Sequence, residues 1–265
     1  MKSFSLVVII LLALLYSAPG FVVPQQYVPP PASAPLLKGI NFTNTSPVDE
    51  AYRAEFERCD REGIFEDITV PKAYKCTDDP NQVKALLKFP DGTIFFESKL
   101  SLDLDGSWKA CNVPGHSDQC QTWYTWENLP KPARYVDSDK YPYVVIPIAD
   151  FHLNDNREFR DKTRLDKGDV GVVIYKDKIV PVFVADGGPY NKLGEGSGAL
   201  FKALGEDRCR KWKNGHCESY KDFSVPNKVL FFLFPGSNIS GLTPANALAK
   251  IRAEALTRFG KLKTP

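Results

Sequence analysis

The chain has 265 residues, with 34 basic against 32 acidic side chains, 43% hydrophobic residues and six cysteines. So even a balance gives no global positive field and argues against nucleic acid as a partner. The apolar fraction is ordinary for a globular chain with a real core, and the length suits one large domain or two small ones.

In chain order, Lys2 precedes an apolar run over residues 4–16 and then Ser17-Ala18-Pro19-Gly20. A basic start, a short apolar stretch and small residues at its end predict a signal peptide over residues 1–20. The run is too short for a comfortable membrane span, so a retained anchor is the weaker alternative. The expectation is a secreted, extracellular chain with no membrane association after cleavage. Residues 21–47 begin proline-rich (FVVPQQYVPPPASAPL) and read as an extended linker, because proline fixes φ and lacks an N–H. A single domain is expected over 48–265.

Residues 48–62 carry the pattern of one helix. Residues 83–89 and 93–97 flank Pro90-Asp91-Gly92, the chemistry of a hairpin turn. Residues 143–148 (YVVIPI) and 229–234 (VLFFLF) read as buried strands. Residues 170–175 and 179–185 flank Lys176-Asp177-Lys178 as a second hairpin. Helical pattern returns at 197–204 and at 244–259. The latter is expected to have Thr243 as N-cap, Pro244 at the first position and Gly260 just past its end. Its core stripe would be Leu248, Ile251, Ala255 and Phe259. Many short strands with few helices predict a mainly β fold, a barrel or sandwich decorated by loops.

The cysteines suit export. Sequential pairing, Cys59–Cys76, Cys111–Cys120 and Cys209–Cys217, is the simplest of the fifteen connectivities. No close C-x-x-C pair is present and His116, His152 and His216 are scattered, so neither a metal nor a cofactor is expected. Asn41, Asn44 and Asn238 open glycosylation sequons, the second weakened by Pro47.

Chemistry points first to Asp186 and Glu195, at the two ends of Asp-Gly-Gly-Pro-Tyr-Asn-Lys-Leu-Gly-Glu. One carboxylate ends an apolar strand-like run and the other opens a helical one. Glycosidic hydrolysis needs such a facing pair: one acid protonates the leaving oxygen, the other activates water or attacks the sugar. The plainer alternative is a turn aspartate and a glutamate favoured by a helix N-terminus. Gly194-Glu-Gly-Ser-Gly198 occupies the place of a phosphate loop but matches neither phosphate-binding pattern. Ser197 lacks the glycines of a nucleophile elbow. Asp103-Leu-Asp105-Gly106 is short of a full calcium loop, so it reads as a turn or as a carboxylate pair lining a cleft. Trp108, Trp123, Tyr124 and Trp126 follow it, either as sugar-stacking rings or as packing residues.

These segments, FFESKLSLDLDG (95–106), YPYVVIP (141–147), KGDVGVVIY (167–175), PVFVADGGPYNKLGEGSGALFKALG (181–205) and VLFFLFPGS (229–237), together resemble glycoside hydrolase family 75. These are the secreted endo-chitosanases of fungi and bacteria. The resemblance spans about residues 80–240, and GP-x-x-K-x-GEGS is its most specific part. It implies a compact, double-psi-like β-barrel that hydrolyses β-1,4-linked glucosamine with inversion, the two acids falling on Asp186 and Glu195. The cysteines and the aromatic insertion at 108–126 depart from the family's simpler pattern.

Chitosan is a polycation at mildly acidic pH, so its cleft should be acidic even where the protein is not. Asp103, Asp105 and Asp169, with Lys192 of the GP-x-x-K motif, are the expected substrate-binding residues, and Asp150 is a further acid available to the cleft. Glu195 is preferred as general acid and Asp186 as base. Chitosan is the expected partner and a monomer the default state. A glycan-binding module without turnover, and a hydrolase of another polysaccharide, stay open beside this reading.

Overall fold

The computed structural model describes residues 27–65, 67–69, 86–115, 118–149, 157–189 and 192–263. Cys76, His116, Asp150 and His152 lie outside them, as do residues 1–26, so the Cys59–Cys76 pairing, the expected signal peptide and the roles of those residues fall outside the description. The strands are β1 (Ser46–Pro47), β2 (Ile64–Phe65), β3 (Ile68–Thr69), β4 (Leu86–Lys88), β5 (Ile94–Asp103), β6 (Tyr143–Ala149), β7 (Val170–Tyr175), β8 (Lys178–Pro189), β9 (Glu195–Ser197), β10 (Cys209–Lys213), β11 (His216–Tyr220) and β12 (Ser224–Leu233). The helices are α1 (Glu50–Glu62), α2 (Trp108–Asn112), α3 (Glu158–Thr163), α4 (Gly198–Ala203) and α5 (Ala247–Lys261).

Six strands close into a barrel in the order β5-β12-β7-β8-β6-β9, with β9 returning to β5, and β4 and β1 extend the sheet beyond β5. The protein is therefore mainly β, a compact β-barrel with few helices. Two parallel pairings, β6–β8 and β5–β9, are set among antiparallel ones. The strands form because their residues alternate between two apolar clusters. Val144, Ile146, Val173, Val182, Val184 and Phe231 feed one cluster, which α1, α3 and α4 also join. Phe95, Tyr143, Val145, Val172, Phe183 and Phe232 feed the other, shared with α5. Across β5 and β12, Phe96 stacks on Phe231 with ring centroids 4.5 Å apart.

Both expected hairpins are present. Lys88 pairs with Ile94 around a turn whose Gly92 has φ +91°, and Tyr175 pairs with Lys178. Helix α1 is capped by the Asp49 carboxylate, which accepts from the Tyr52 N–H, and ends on left-handed Gly63. Two bridges close the loops they flank: Cys111–Cys120, with Cα atoms 4.3 Å apart, and Cys209–Cys217, at 5.7 Å.

Three expectations are corrected. The segment read as an extended linker packs on the barrel from Tyr27 onward: Leu37 and Phe42 are buried, and Tyr27 Oη donates to Glu97 Oε2 at 2.5 Å. Its prolines are followed by two turns of 3-10 helix, Ala34–Leu37 and Phe42–Asn44, which its apolar residues anchor. Helix α5 begins at Ala247 rather than Pro244. Asn246 Oδ1 accepts from the Thr243 N–H and its Nδ2 donates to the Gly241 carbonyl, closing a turn where the helix was expected to start. The buried stripe is accordingly Ala247, Ile251, Ala255 and Phe259, while Leu248 is exposed and Gly260 is helical. Finally, Asp186 does not end its strand and Glu195 does not open a helix: both lie within strands, β8 and β9.

Candidate active site

Strand register brings Asp186 and Glu195 together. On β6, Val145 pairs with Asp186 of β8 on one side and with Glu195 of β9 on the other. A break in the β6–β8 register makes this possible: Val144 pairs with Val184, and the next residue of β6 pairs with Asp186, leaving Ala185 over. Counting by twos from Val182 and Val184 would place Asp186 on the face of the first apolar cluster. The extra residue turns it to the face of Val145 and Glu195, as bulges do next to functional sites. Contact confirms the shared face. A Cβ on Gly188, two residues beyond Asp186, would stand 2.9 Å from Glu195 Oε2 and 3.1 Å from Val145 Cγ1.

The parallel β5–β9 pairing adds Asp103 to this face, since Ser101 pairs with Glu195 and Asp103 with Ser197. Asp103 Oδ1 accepts from the Asp105 N–H at 3.0 Å, which folds the chain over at Gly106. Gly106 has φ +73°, and a Cβ there would lie 2.0 Å from the Val136 carbonyl oxygen, so only glycine makes this turn. The turn delivers Asp105 to the same place. Asp103, Asp105 and Asp186 each offer a carboxylate oxygen within 4.8 Å of the other two.

Charge is concentrated here. Asp186 is 6% exposed, and burial first, then the Asp103 carboxylate, pushes its carboxyl well above the ordinary range. The N–H groups of Gly187 and Trp123, at 2.8 and 3.1 Å from Oδ1, oppose that shift without cancelling it. Oδ2 of Asp186 is buried without a hydrogen-bond partner. Asp103 is raised by burial and then by Asp105 and Glu195. Asp105 is pushed up to about 8 by burial and by Asp186. Glu195, 9% exposed, has its Oε1 engaged by the Lys192 ammonium.

Of the expected site residues, the structure therefore gathers Asp186, Glu195, Asp103, Asp105 and Lys192. It does not bring Asp169 among them. Asp169 is 1% exposed, its Oδ1 accepts from the Ser237 N–H and its Oδ2 from the Asp166 N–H, so it ties two turns together. Ser197 is likewise architectural. Its Oγ accepts from the N–H groups of Tyr143 and Leu200 and donates to the Tyr141 carbonyl, capping α4 and fastening β9 to β6.

Sequence reasoning passed over Tyr143, which is fully buried in the site wall and donates from Oη to the Asp105 carbonyl at 2.9 Å. It sits in an apolar run, and nothing local marks it. The aromatic insertion divides. Trp126 is core, Trp108 stacks on His216, and Trp123 holds Asp186 by its main-chain N–H while the Arg160 guanidinium lies 5.0 Å from its ring. A cleft of about 520 Å³, bounded in part by Trp108, Tyr135, Tyr141 and His216, meets the turn at Gly106 and Ser107, but none of the four acids lines it.

No protein-family model matches the chain, and a search of the curated proteins returns no match.

Proposed function

We propose that the protein is an exported endo-acting glycosidase that cleaves β-1,4 linkages between glucosamine units of chitosan with inversion of the anomeric centre. The observation that carries this reading is the register of Asp186 and Glu195 on either side of Val145, on one face of the barrel wall. Two strand spacings separate their backbones by roughly 9–10 Å. Inversion is what the family resemblance implies, and it needs the carboxyls themselves about 6.5–9.5 Å apart to admit a water, against about 5–5.5 Å for retention. The two bridges, and the lack of any membrane-crossing helix among the described residues, are compatible with an exported chain.

Within this reading Asp186 is the general acid and Glu195 the base, the reverse of the order the sequence favoured. Burial and the Asp103 carboxylate favour the protonated form of Asp186. That proton passes to the glycosidic oxygen as its bond to C1 breaks. Glu195, oriented by Lys192, takes a proton from the water that attacks C1 from the opposite face. The new C1–OH bond leaves a reducing end of inverted configuration and a free hydroxyl on the departing chain. Asp103 and Asp105 stand beside the pair as hydrogen-bonding partners for the amino and hydroxyl groups of the polymer.

Reducing-end release from chitosan, chitin and a neutral β-glucan tests this. Chitosan should be cleaved preferentially, and Asp186→Asn and Glu195→Gln should each lower kcat by about 10²–10⁴ with the circular dichroism spectrum unchanged. Near-full activity in either variant removes that residue from the pair. Better turnover of the neutral glucan transfers the reading to another polysaccharide.

A further inference from the structure

Hydrolysis needs two acids, and this site gathers four. Asp103, Asp105 and Asp186 converge with oxygens within 4.8 Å of one another, and main-chain amides fix all three. Asp103 Oδ1 takes the Asp105 N–H, Asp105 Oδ1 takes the Gln119 N–H, and Asp186 Oδ1 takes those of Trp123 and Gly187. Asp186 is more than nine-tenths buried, and its second oxygen has no donor. A buried carboxylate oxygen left without a partner is costly, and native structures seldom leave one unexplained.

We propose that these three aspartates form a binding site for a hard divalent cation, namely calcium. All the donors are hard carboxylate oxygens, with no cysteine or histidine among them, which suits calcium and argues against softer metals. The site takes shape only in the folded chain, because β5, the Gly106 turn and the β8 bulge each deliver one ligand.

Binding of the cation does not depend on the glycosidase reading, but one consequence does. An ion on Asp186 withdraws the acid from catalysis, so calcium should inhibit cleavage in competition with the cationic polymer.

The test is a titration of the full chain, freed of metal by chelation, with calcium chloride in a calorimeter. In parallel, terbium chloride is titrated with excitation of the neighbouring Tyr143 and Trp123. Saturable binding with a Kd on the order of 10⁻⁴–10⁻³ M is expected. Asp103→Asn and Asp105→Asn should each weaken it by about tenfold or more, with unchanged circular dichroism, and Asp222→Asn on the exposed surface should not. Absence of saturable binding up to about 10 mM, or equal affinity in both site variants, overturns the proposal. Calcium binding in a chain that cleaves no polysaccharide would leave the cation site standing and remove the glycosidase. Cleavage without calcium binding would do the reverse.

Discussion

At the scale of single residues, the geometry of the pair depends on an absent atom. Gly188 lies under the Glu195 carboxylate, and a methyl group there would press on Oε2 and on Val145 Cγ1. The end of a glutamate side chain moves more readily than backbone, so Gly188→Ala should leave the fold standing and displace the base. A shift of about 1 Å in a reacting group can cost on the order of 10² in rate. The expected result is a large fall in kcat on chitosan with a melting temperature close to wild type; an unaffected kcat would show that Glu195 Oε2 is not a reacting atom. Lys192 is a positioning residue in the same account, since it acts through Glu195. Asp186, Glu195, Asp103 and Asp105 were all legible as acids in the sequence, because carboxylates next to glycine turns and strand ends stand out. Asp169 looked equivalent, and only its main-chain partners, Asp166 and Ser237 among them, reveal a structural role. Tyr143 and the N–H of Trp123 carried no local signal, since a tyrosine in an apolar strand and a peptide amide look the same in a core and in a site.

At the scale of elements, the site is made by one irregularity and one very short strand. The bulge at Ala185 defeats any count by twos, which is why the strand was read as ending where it turns Asp186 to the other face. Strand β9 has only three residues and was read as the opening of α4, because Glu195-Gly-Ser gives no period of its own. Ser197 holds both elements: its hydroxyl serves two N–H donors and one carbonyl while fully buried. Ser197→Ala would strip the cap from α4 and leave the Tyr143 N–H without its acceptor. A lost cap costs about 1 kcal/mol and a buried unsatisfied group about 1–3 kcal/mol more. A drop in unfolding free energy of roughly 2–4 kcal/mol is therefore expected in denaturant titrations. A change below about 0.5 kcal/mol would show that β9 is held by other contacts. The hairpins and α1 were legible because their turn and cap residues act locally. The start of α5 was not, because Asn246 closes a competing turn with Thr243 and Gly241.

At the scale of the molecule, closing the barrel and forming the site are one event, since β9 both joins β5 to β6 and carries Glu195. Folding therefore buries carboxyl groups. Asp103, Asp105, Asp186, Asp139, Asp169 and Glu97 are all raised, burial being the first cause in each. A group whose folded value is raised contributes stability that is fully present below its unfolded value, about 4 for a carboxyl, and is lost as pH climbs through the folded value. With Asp105 at about 8, the loss extends from about pH 4 to about pH 8. The melting temperature, measured by calorimetry in chelator-treated buffer, should fall over that window, and Asp105→Asn should flatten its upper part. A melting temperature that rises with pH would contradict the burial of these acids. The β class and barrel were legible because strand runs and turn residues are local signals, whereas barrel order depends on long-range pairing that no window of sequence contains. The central claim, a pair of acids two strands apart that cleaves chitosan, is tested most directly by proton NMR of the first reducing ends released. Inversion predicts the α-anomer of glucosamine appearing first and relaxing slowly to the equilibrium mixture, whereas no new reducing ends, or the β-anomer first, would contradict the account.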